Sequence, residues 1–202
     1  VDVTVTYTLT EENSVKIEYV GKSDQDTPLN LTNHAYFNLN DAQHGKDVRE
    51  HLLQLNADYF LPVDSEGIPN APLKVVDGTS FDFRREKSIG ADFLKEEQQL
   101  TKGYDHSFLL SREPQKTAAI LTALDRSLRL EISTSQPALQ VYTGNYLGGT
   151  PNRNGGEYAD YAGIALETQA LPDTPNHPEW QHYGGITKAT EVYRHWMKFK
   201  FV

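Results

Sequence analysis

Residues 29–39 carry an unusual row of neutral polar side chains. In an extended strand, successive side chains alternate between two faces. One face would carry Leu29, Leu31, Asn33, Ala35, Phe37 and Leu39, and the other Asn30, Thr32, His34, Tyr36 and Asn38. The second face has hydrogen-bonding groups and an aromatic ring but no lysine or glutamate, which suits sugar hydroxyl groups. The pattern predicts either a sugar-binding face or a sheet face covered by a loop, and both interpretations stay open here.

Residues 163–169 place a single carboxylate in an otherwise apolar strand. Ile164 and Leu166 should face one way, and Ala165, Glu167 and Gln169 the other. An ionised acid is costly to bury without a partner. Glu167 must therefore lie at an opening, be protonated or meet a group from elsewhere, unless it is an ordinary solvent-facing glutamate.

Three further segments combine polar groups with apolar runs. Residues 103–107 place Asp105 just before the apolar residues 108–110, and Gln140 and Tyr142 alternate with apolar neighbours. Residues 172–180 form a proline-rich loop, and we expect Trp180 to attach this loop to the core.

Other chemistries lack their sequence signatures. The seven histidines show neither the helical two-histidine spacing nor the clustered spacing of a metal site. There is no glycine-rich phosphate loop with its lysine and no nucleophile elbow of the serine hydrolase type. We therefore expect neither a metal nor another cofactor.

The elements that must position these residues are short strands. Residues 1–10 alternate valine, tyrosine and leucine with aspartate and threonine, and residues 15–19 resume this alternation after a polar turn. Further strands are predicted at 29–39, 51–59, 107–110, 117–124, 128–134, 139–146, 163–169 and 193–202. Only residues 88–100 are expected to be helical. The pattern predicts an all-β protein, either a β-sandwich or a barrel, with residues 1–202 as one domain.

Composition limits the possible partners. The 202 residues carry a formal net charge of −9, whereas a nucleic-acid-binding surface is normally basic. No apolar stretch approaches the ~18 residues that suggest a membrane span. The absence of cysteine excludes disulfides and thiolate chemistry. We expect no nucleic-acid or membrane partner and a cytoplasmic location.

Six segments in this order resemble the galactose mutarotase (aldose 1-epimerase) family, especially its bacterial members. They are residues 32–39 (TNHAYFNL), 59–63 with 67–69 (YFLPV and GIP), 78–84 (GTSFDFR), 103–106 (GYDH), 140–145 (QVYTGN) and 166–167 with 171–178 (LE and LPDTPNHP). The resemblance implies an antiparallel β-sandwich of the mutarotase type with a sugar cleft on one sheet. It also implies that the substrate is a free hexose such as galactose or glucose.

The resemblance assigns roles to five residues of this sequence. Glu167 corresponds to the catalytic base and His34 to the catalytic acid. Asp105 and Gln140 correspond to ligands of sugar hydroxyl groups, and Tyr36 lies beside the acid in the binding strand.

The chain also departs from the family's pattern. Members carry a sizeable N-terminal portion that supplies an asparagine–arginine pair and a second histidine, without counterparts here. We therefore expect the domain to be incomplete at its N-terminus. The alternatives are a fragment, half of a cleaved protein, or a chain whose N-terminal segment is a separate partner chain.

Three other functions compete with anomer exchange. A carbohydrate-binding domain would bind the sugar without turnover. A glycoside hydrolase would use Asp105 and Glu167 as its carboxylate pair. An enzyme for sugar phosphates would need a basic pocket, for which Arg84, Arg85 and Arg153 are the only hints.

Overall fold

The computed structural model describes residues 1–111 and 117–202, and most of its regular structure is β-strand. The strands among these residues are β1 (Asp2–Thr10), β2 (Ser14–Lys22), β3 (Thr27–Pro28), β4 (Tyr36–Phe37), β5 (Leu52–Leu55), β6 (Ala57–Phe60), β7 (Lys74–Val75), β8 (Lys87–Ser88), β9 (Asp105–Leu110), β10 (Ala119–Thr122), β11 (Arg129–Thr134), β12 (Ala138–Tyr142), β13 (Ile164–Gln169), β14 (Ile186–Thr187) and β15 (Val192–Phe201). Short 3₁₀ helices span Ala42–His44, Val48–Glu50, Ile89–Asp92, Glu96–Gln99, Thr174–Asn176 and Pro178–Tyr183. Among the described residues, no helix has the length and apolar character that a membrane span requires.

Two antiparallel sheets form the sandwich. The seven-stranded sheet has the order β1-β2-β15-β11-β10-β5-β8, and the six-stranded sheet the order β4-β13-β12-β9-β6-β7. The facing sides pack through one apolar core, for example where Phe37 of β4 meets Phe199 of β15 with ring centroids 5.0 Å apart. The predicted all-β antiparallel sandwich is confirmed.

The six-stranded sheet separates an apolar face from a polar one. Ile164 and Leu166 of β13 point into the core, so Glu167, the next residue after Leu166, points to the outer side. A second, smaller apolar cluster covers part of that outer side. It consists of Leu61, Ala138, Leu171 and Trp180, all buried. As expected, Trp180 attaches the proline-rich loop to the sheet, here against its outer face.

The predicted first hairpin is present, but its first strand is exposed on both faces. β1 pairs with β2 over its whole length, with Val5 opposite Tyr19 and Tyr7 opposite Ile17. Ile17 and Tyr19 are buried, whereas Val5 and Tyr7 are 42% and 61% exposed. β1 is the outermost strand of its sheet, and the facing sheet ends at the two-residue strand β4.

The predicted strand at 29–39 was wrong over most of its length. Only Tyr36 and Phe37 pair as a strand. The side chain of Asn33 accepts a hydrogen bond from the backbone N–H of Ala35 (3.1 Å), and that of Asn38 accepts one from Asn40 (2.8 Å). Such local asparagine turns compete with ladder pairing, and they interrupt the strand here.

Two other predicted elements are divided. The strand expected at 51–59 is two strands, because at Asn56 the chain crosses from the seven-stranded to the six-stranded sheet. The helical segment expected at 88–100 is two separate 3₁₀ helices. Leu94 lies between the two helices and has a φ of +59°, and Glu96 begins the second helix with a φ of +51°. An α-helix cannot continue through that conformation.

Candidate active site

Glu167 lies in the middle of β13 and is 8% exposed. β13 pairs with β12 along its length, which places Glu167 directly opposite Gln140. Hydrogen bonding to β12 and packing of its apolar neighbours in the core fix the backbone of Glu167. Its carboxylate is thus held on the polar outer face of the sheet.

His34 reaches this carboxylate from the irregular segment that precedes β4. Its Nε2 atom lies 3.4 Å from Glu167 Oε1. The segment is attached to the end of β13 by Asn30, whose side chain donates to Ala170 O (3.1 Å) and accepts from Ala170 N (2.8 Å). The Asn30 side chain thus makes the two hydrogen bonds that a paired strand would make with its backbone. Residues 31–35 therefore need not pair with β13, and His34 can lie over the sheet.

Asp105 and Gln140 form the second polar pair. Gln140 Nε2 donates to Asp105 Oδ1 at 2.7 Å. Asp105 begins β9 opposite Tyr142, and Ser107 lies opposite Gln140. The sheet register therefore produces a row of three side chains, Glu167, Gln140 and Ser107, with Asp105 diagonal to Gln140.

These residues surround a cavity of about 390 Å³. Its lining consists of His34, Val63, Gly67, Asp105, Gln140, Tyr142, Glu167, Gln169 and Pro172. Four of the five predicted site residues line it. The fifth, Tyr36, lies next to it, with its ring centroid 4.9 Å from that of His34, and lines a neighbouring cavity of about 520 Å³.

Burial sets the electrostatics of the two carboxyl groups. It raises the pKa of Glu167, an effect that Asp105 increases and His34 opposes. Burial also raises the pKa of Asp105, while the hydrogen bond from Gln140 and the charge of His34 act in the opposite direction. Both groups are therefore easier to protonate than a carboxyl group in water.

Gln169, Val63 and Pro172 line the cavity but were not predicted as site residues. The alternation along β13 placed Gln169 on the same face as Glu167, which was the available signal. Val63 and Pro172 come from loops, whose positions over the sheet no strand pattern specifies.

Arg84, one of the hints of a sugar-phosphate pocket, and His106, the neighbour of Asp105, do not line this cavity. Arg84 pairs with Asp82 (2.7 Å) and with Asp77, which removes it as a free anion-binding group. His106 is buried on the core face, and burial lowers its pKa to about 4. Within residues 1–111 and 117–202, no group of three or more potential metal ligands is positioned to hold an ion.

Comparisons with known proteins agree along the whole chain. A family model described as aldose 1-epimerase matches residues 1–200. An aldose 1-epimerase of Haemophilus influenzae is 67% identical over 201 residues, which make up 100% of this chain and 59% of that protein. An aldose 1-epimerase of Escherichia coli is 48% identical over 202 residues, or 98% of this chain and 58% of that protein.

A solved structure has a similar fold. A galactose 1-epimerase from Lactobacillus acidophilus superposes with a TM-score of 0.82 at 33% identity, covering 99% of this chain and 56% of that one. The chain thus spans between 56% and 59% of the length of these relatives.

Proposed function

The chain belongs to the aldose 1-epimerase family, and on that premise we propose that it interconverts the α and β anomers of a free hexose such as galactose or glucose. The Lactobacillus relative is a galactose 1-epimerase, which supports a hexose as the substrate. The core shared by both sheets supports treating residues 1–202 as a single domain.

The observation that carries the proposal is the contact of 3.4 Å between His34 Nε2 and Glu167 Oε1. Anomer exchange removes a proton from the anomeric hydroxyl group and adds one to the ring oxygen while the bond between C1 and that oxygen breaks. Both oxygen atoms are bonded to C1. A base and an acid that serve them must therefore lie close together and open into the same cavity, as these two side chains do.

Glu167 acts as the base and His34 as the acid. The raised pKa of Glu167 makes its carboxylate a stronger base than an exposed glutamate, which favours proton removal. An imidazole, with a reference pKa of about 6.5, can hold or release a proton near neutral pH. After the open-chain aldehyde rotates about its C1–C2 bond, the reverse transfers close the ring, so each residue serves as acid and base in turn.

Asp105 and Gln140 orient the sugar. Their hydrogen bond leaves the second carboxylate oxygen of Asp105 and the second N–H of the Gln140 amide available to sugar hydroxyl groups, while the rings of Tyr142 and the adjacent Tyr36 flank His34. Fixing the sugar against the acid–base pair supplies the proximity that catalysis requires. The mechanism requires no metal or other cofactor.

The test follows the optical rotation of freshly dissolved α-D-galactose. We expect the protein to accelerate its decay, and we expect Glu167→Gln to lower kcat by ~10²–10⁴-fold, the usual contribution of a general base, while galactose still binds. Glu157→Gln is the matched control, since it removes the same charge from an exposed loop position. A near-normal rate in Glu167→Gln would remove Glu167 from the mechanism, and release of the aryl group from an aryl galactoside would indicate a hydrolase.

A further inference from the structure

Ser107 lies beneath the site and is 1% exposed. Its hydroxyl oxygen is buried and has no hydrogen-bond partner among the described residues, and the same is true of Gln140 Oε1. The two residues are directly opposite each other in the register of β9 and β12, so their side chains share one face of the sheet. Buried polar atoms in proteins are hydrogen-bonded in the large majority of cases.

The two unpartnered atoms are chemically complementary. A serine hydroxyl can donate a proton, and an amide oxygen accepts one. Directly opposed side chains in an antiparallel pair have Cβ atoms about 4.5–5.5 Å apart, which rotation of the serine side chain or one water molecule can bridge. On its other side Ser107 adjoins Leu61, the residue just after β6. The backbone N–H of Leu61 donates to Ser107 O (2.8 Å), and its side chain is apolar.

The orientation of the Gln140 amide decides whether Asp105 faces a hydrogen-bond donor or an acceptor. In the structure, the NH₂ end faces Asp105 and donates to it at 2.7 Å. A reversed amide would bring its oxygen against the carboxylate, where two acceptors repel each other. A donor at the oxygen end of the amide stabilises the observed orientation and prevents the reversal.

We propose that Ser107 is a positioning residue of the sugar site, which donates a hydrogen bond to Gln140 Oε1 and thereby keeps the Gln140 amide directed at Asp105. This inference rests on the proposed function, because Gln140 and Asp105 are the residues that orient the hexose. Ser107 itself does not contact the sugar; its effect reaches the sugar through Gln140.

A double-mutant cycle tests this role. Four forms are compared, namely wild type, Ser107→Ala, Gln140→Ala and the double variant, by kcat/KM for galactose and by the Kd of galactose. We expect Ser107→Ala to lower kcat/KM by about 3–10-fold, the worth of one hydrogen bond, mainly through KM. In the Gln140→Ala background, the same substitution should change neither kcat/KM nor Kd.

The matched control is Ser80→Ala. Ser80 is also buried, but its hydroxyl donates to Glu96 (2.8 Å) and accepts from Gln98 (2.8 Å) away from the site. Its loss should lower Tm without changing KM. Ser107→Cys, which keeps a weak donor in similar space, should bind galactose with an affinity between those of wild type and Ser107→Ala.

The outcomes separate the two proposals. An equal loss from Ser107→Ala in both backgrounds, or no loss in wild type, overturns the role of Ser107. If wild type binds galactose but does not accelerate anomer exchange, the epimerase proposal fails, and the same cycle measured by Kd still decides the role of Ser107.

Discussion

Two groups of polar side chains lie at or near β12, and they differ in how completely their hydrogen bonds are made. The paired cluster, Thr101, Thr143 and Asn145, lies beyond the end of the strand around the backbone of Tyr104. The Asn145 amide donates to Thr101 O (2.7 Å) and Tyr104 O (3.1 Å), and its oxygen accepts from the Thr143 hydroxyl. The site cluster consists of His34, Asp105, Ser107, Gln140 and Glu167. In it, Ser107 Oγ and Gln140 Oε1 have no hydrogen-bond partner within residues 1–111 and 117–202.

The difference separates polar groups that stabilise the fold from those that we propose bind the sugar. A fully paired buried amide stabilises one local structure, and Gly103 shows how tightly it packs. A Cβ at Gly103 would lie 2.5 Å from Asn145 Oδ1, and the backbone there has a φ of +138°. The site cluster instead faces a cavity with charge and free lone pairs, which weakens the isolated fold and suits a polar ligand. Substitutions should therefore lower activity in one cluster and stability in the other.

The largest expected effect is that of His34→Asn on turnover. Loss of the proton donor should lower kcat by ~10²–10⁴-fold, whereas Tm should change little because the His34 side chain is half exposed. Polarimetry and thermal unfolding of the same samples measure both quantities. His182→Asn, at an exposed position outside the cavity, is the control. A large loss of Tm with retained turnover would show that His34 stabilises the fold and does not take part in catalysis.

Asn145→Ala should show the reverse pattern. The substitution removes three buried hydrogen bonds and leaves a small void, so we expect the free energy of unfolding to fall by about 3 kcal/mol. Turnover per folded molecule should stay within a few-fold of wild type. Urea unfolding and kcat at low temperature measure these quantities, and Asn154→Ala in an exposed loop should change stability by less than ~0.5 kcal/mol. Equal stability of the two variants would contradict a stabilising role for the paired cluster.

The two clusters also differ in how far the sequence could predict them. Asp105 was expected just before the strand predicted at 107–110, whereas β9 already begins with it. Strand alternation placed Glu167 and Gln140 on strands correctly, because packing of their apolar neighbours imposes a period of two. It did not indicate that His34 meets Glu167, since that contact joins residues far apart in sequence through an irregular segment. Only the family resemblance brought them together in advance.

The strand predicted at 29–39 is interrupted by local hydrogen bonds, and the site depends on this interruption, because His34 reaches Glu167 from the irregular segment. Two asparagines of the predicted sugar-binding face, Asn30 and Asn38, instead form hydrogen bonds with the backbone. Composition alone cannot decide whether an amide pairs with a ligand or with a neighbouring peptide group. The paired cluster was not predicted either. The turn after β12 that buries Asn145 depends on contacts with residues 101–104, which are distant in sequence.

The pH dependence of activity should shift in opposite directions in two site variants. Ionised Glu167 is the proposed base, so we expect kcat/KM to fall as the pH drops through the raised pKa of Glu167. Asp105 raises that pKa and His34 lowers it. In the plot of kcat/KM against pH, the acidic limb should therefore move to lower pH for Asp105→Asn. For the residual activity of His34→Asn, it should move to higher pH. Shifts in the same direction in both variants would show that another group controls the limb.

The smallest expected effect is a gain in stability from Glu167→Gln. Because the folded-state pKa of Glu167 is raised, the folded protein holds this proton more tightly than the unfolded chain does. The resulting stabilisation is complete below the unfolded-state pKa of about 4.3 and is lost as the pH rises through the folded-state pKa. At neutral pH, Glu167→Gln should then be more stable than wild type by ~0.5–2 kcal/mol, and the difference should disappear toward acidic pH. Urea unfolding of both proteins across this pH range measures it. Lower stability of Glu167→Gln at neutral pH would mean that the site carboxylate contributes to the fold as the paired cluster does.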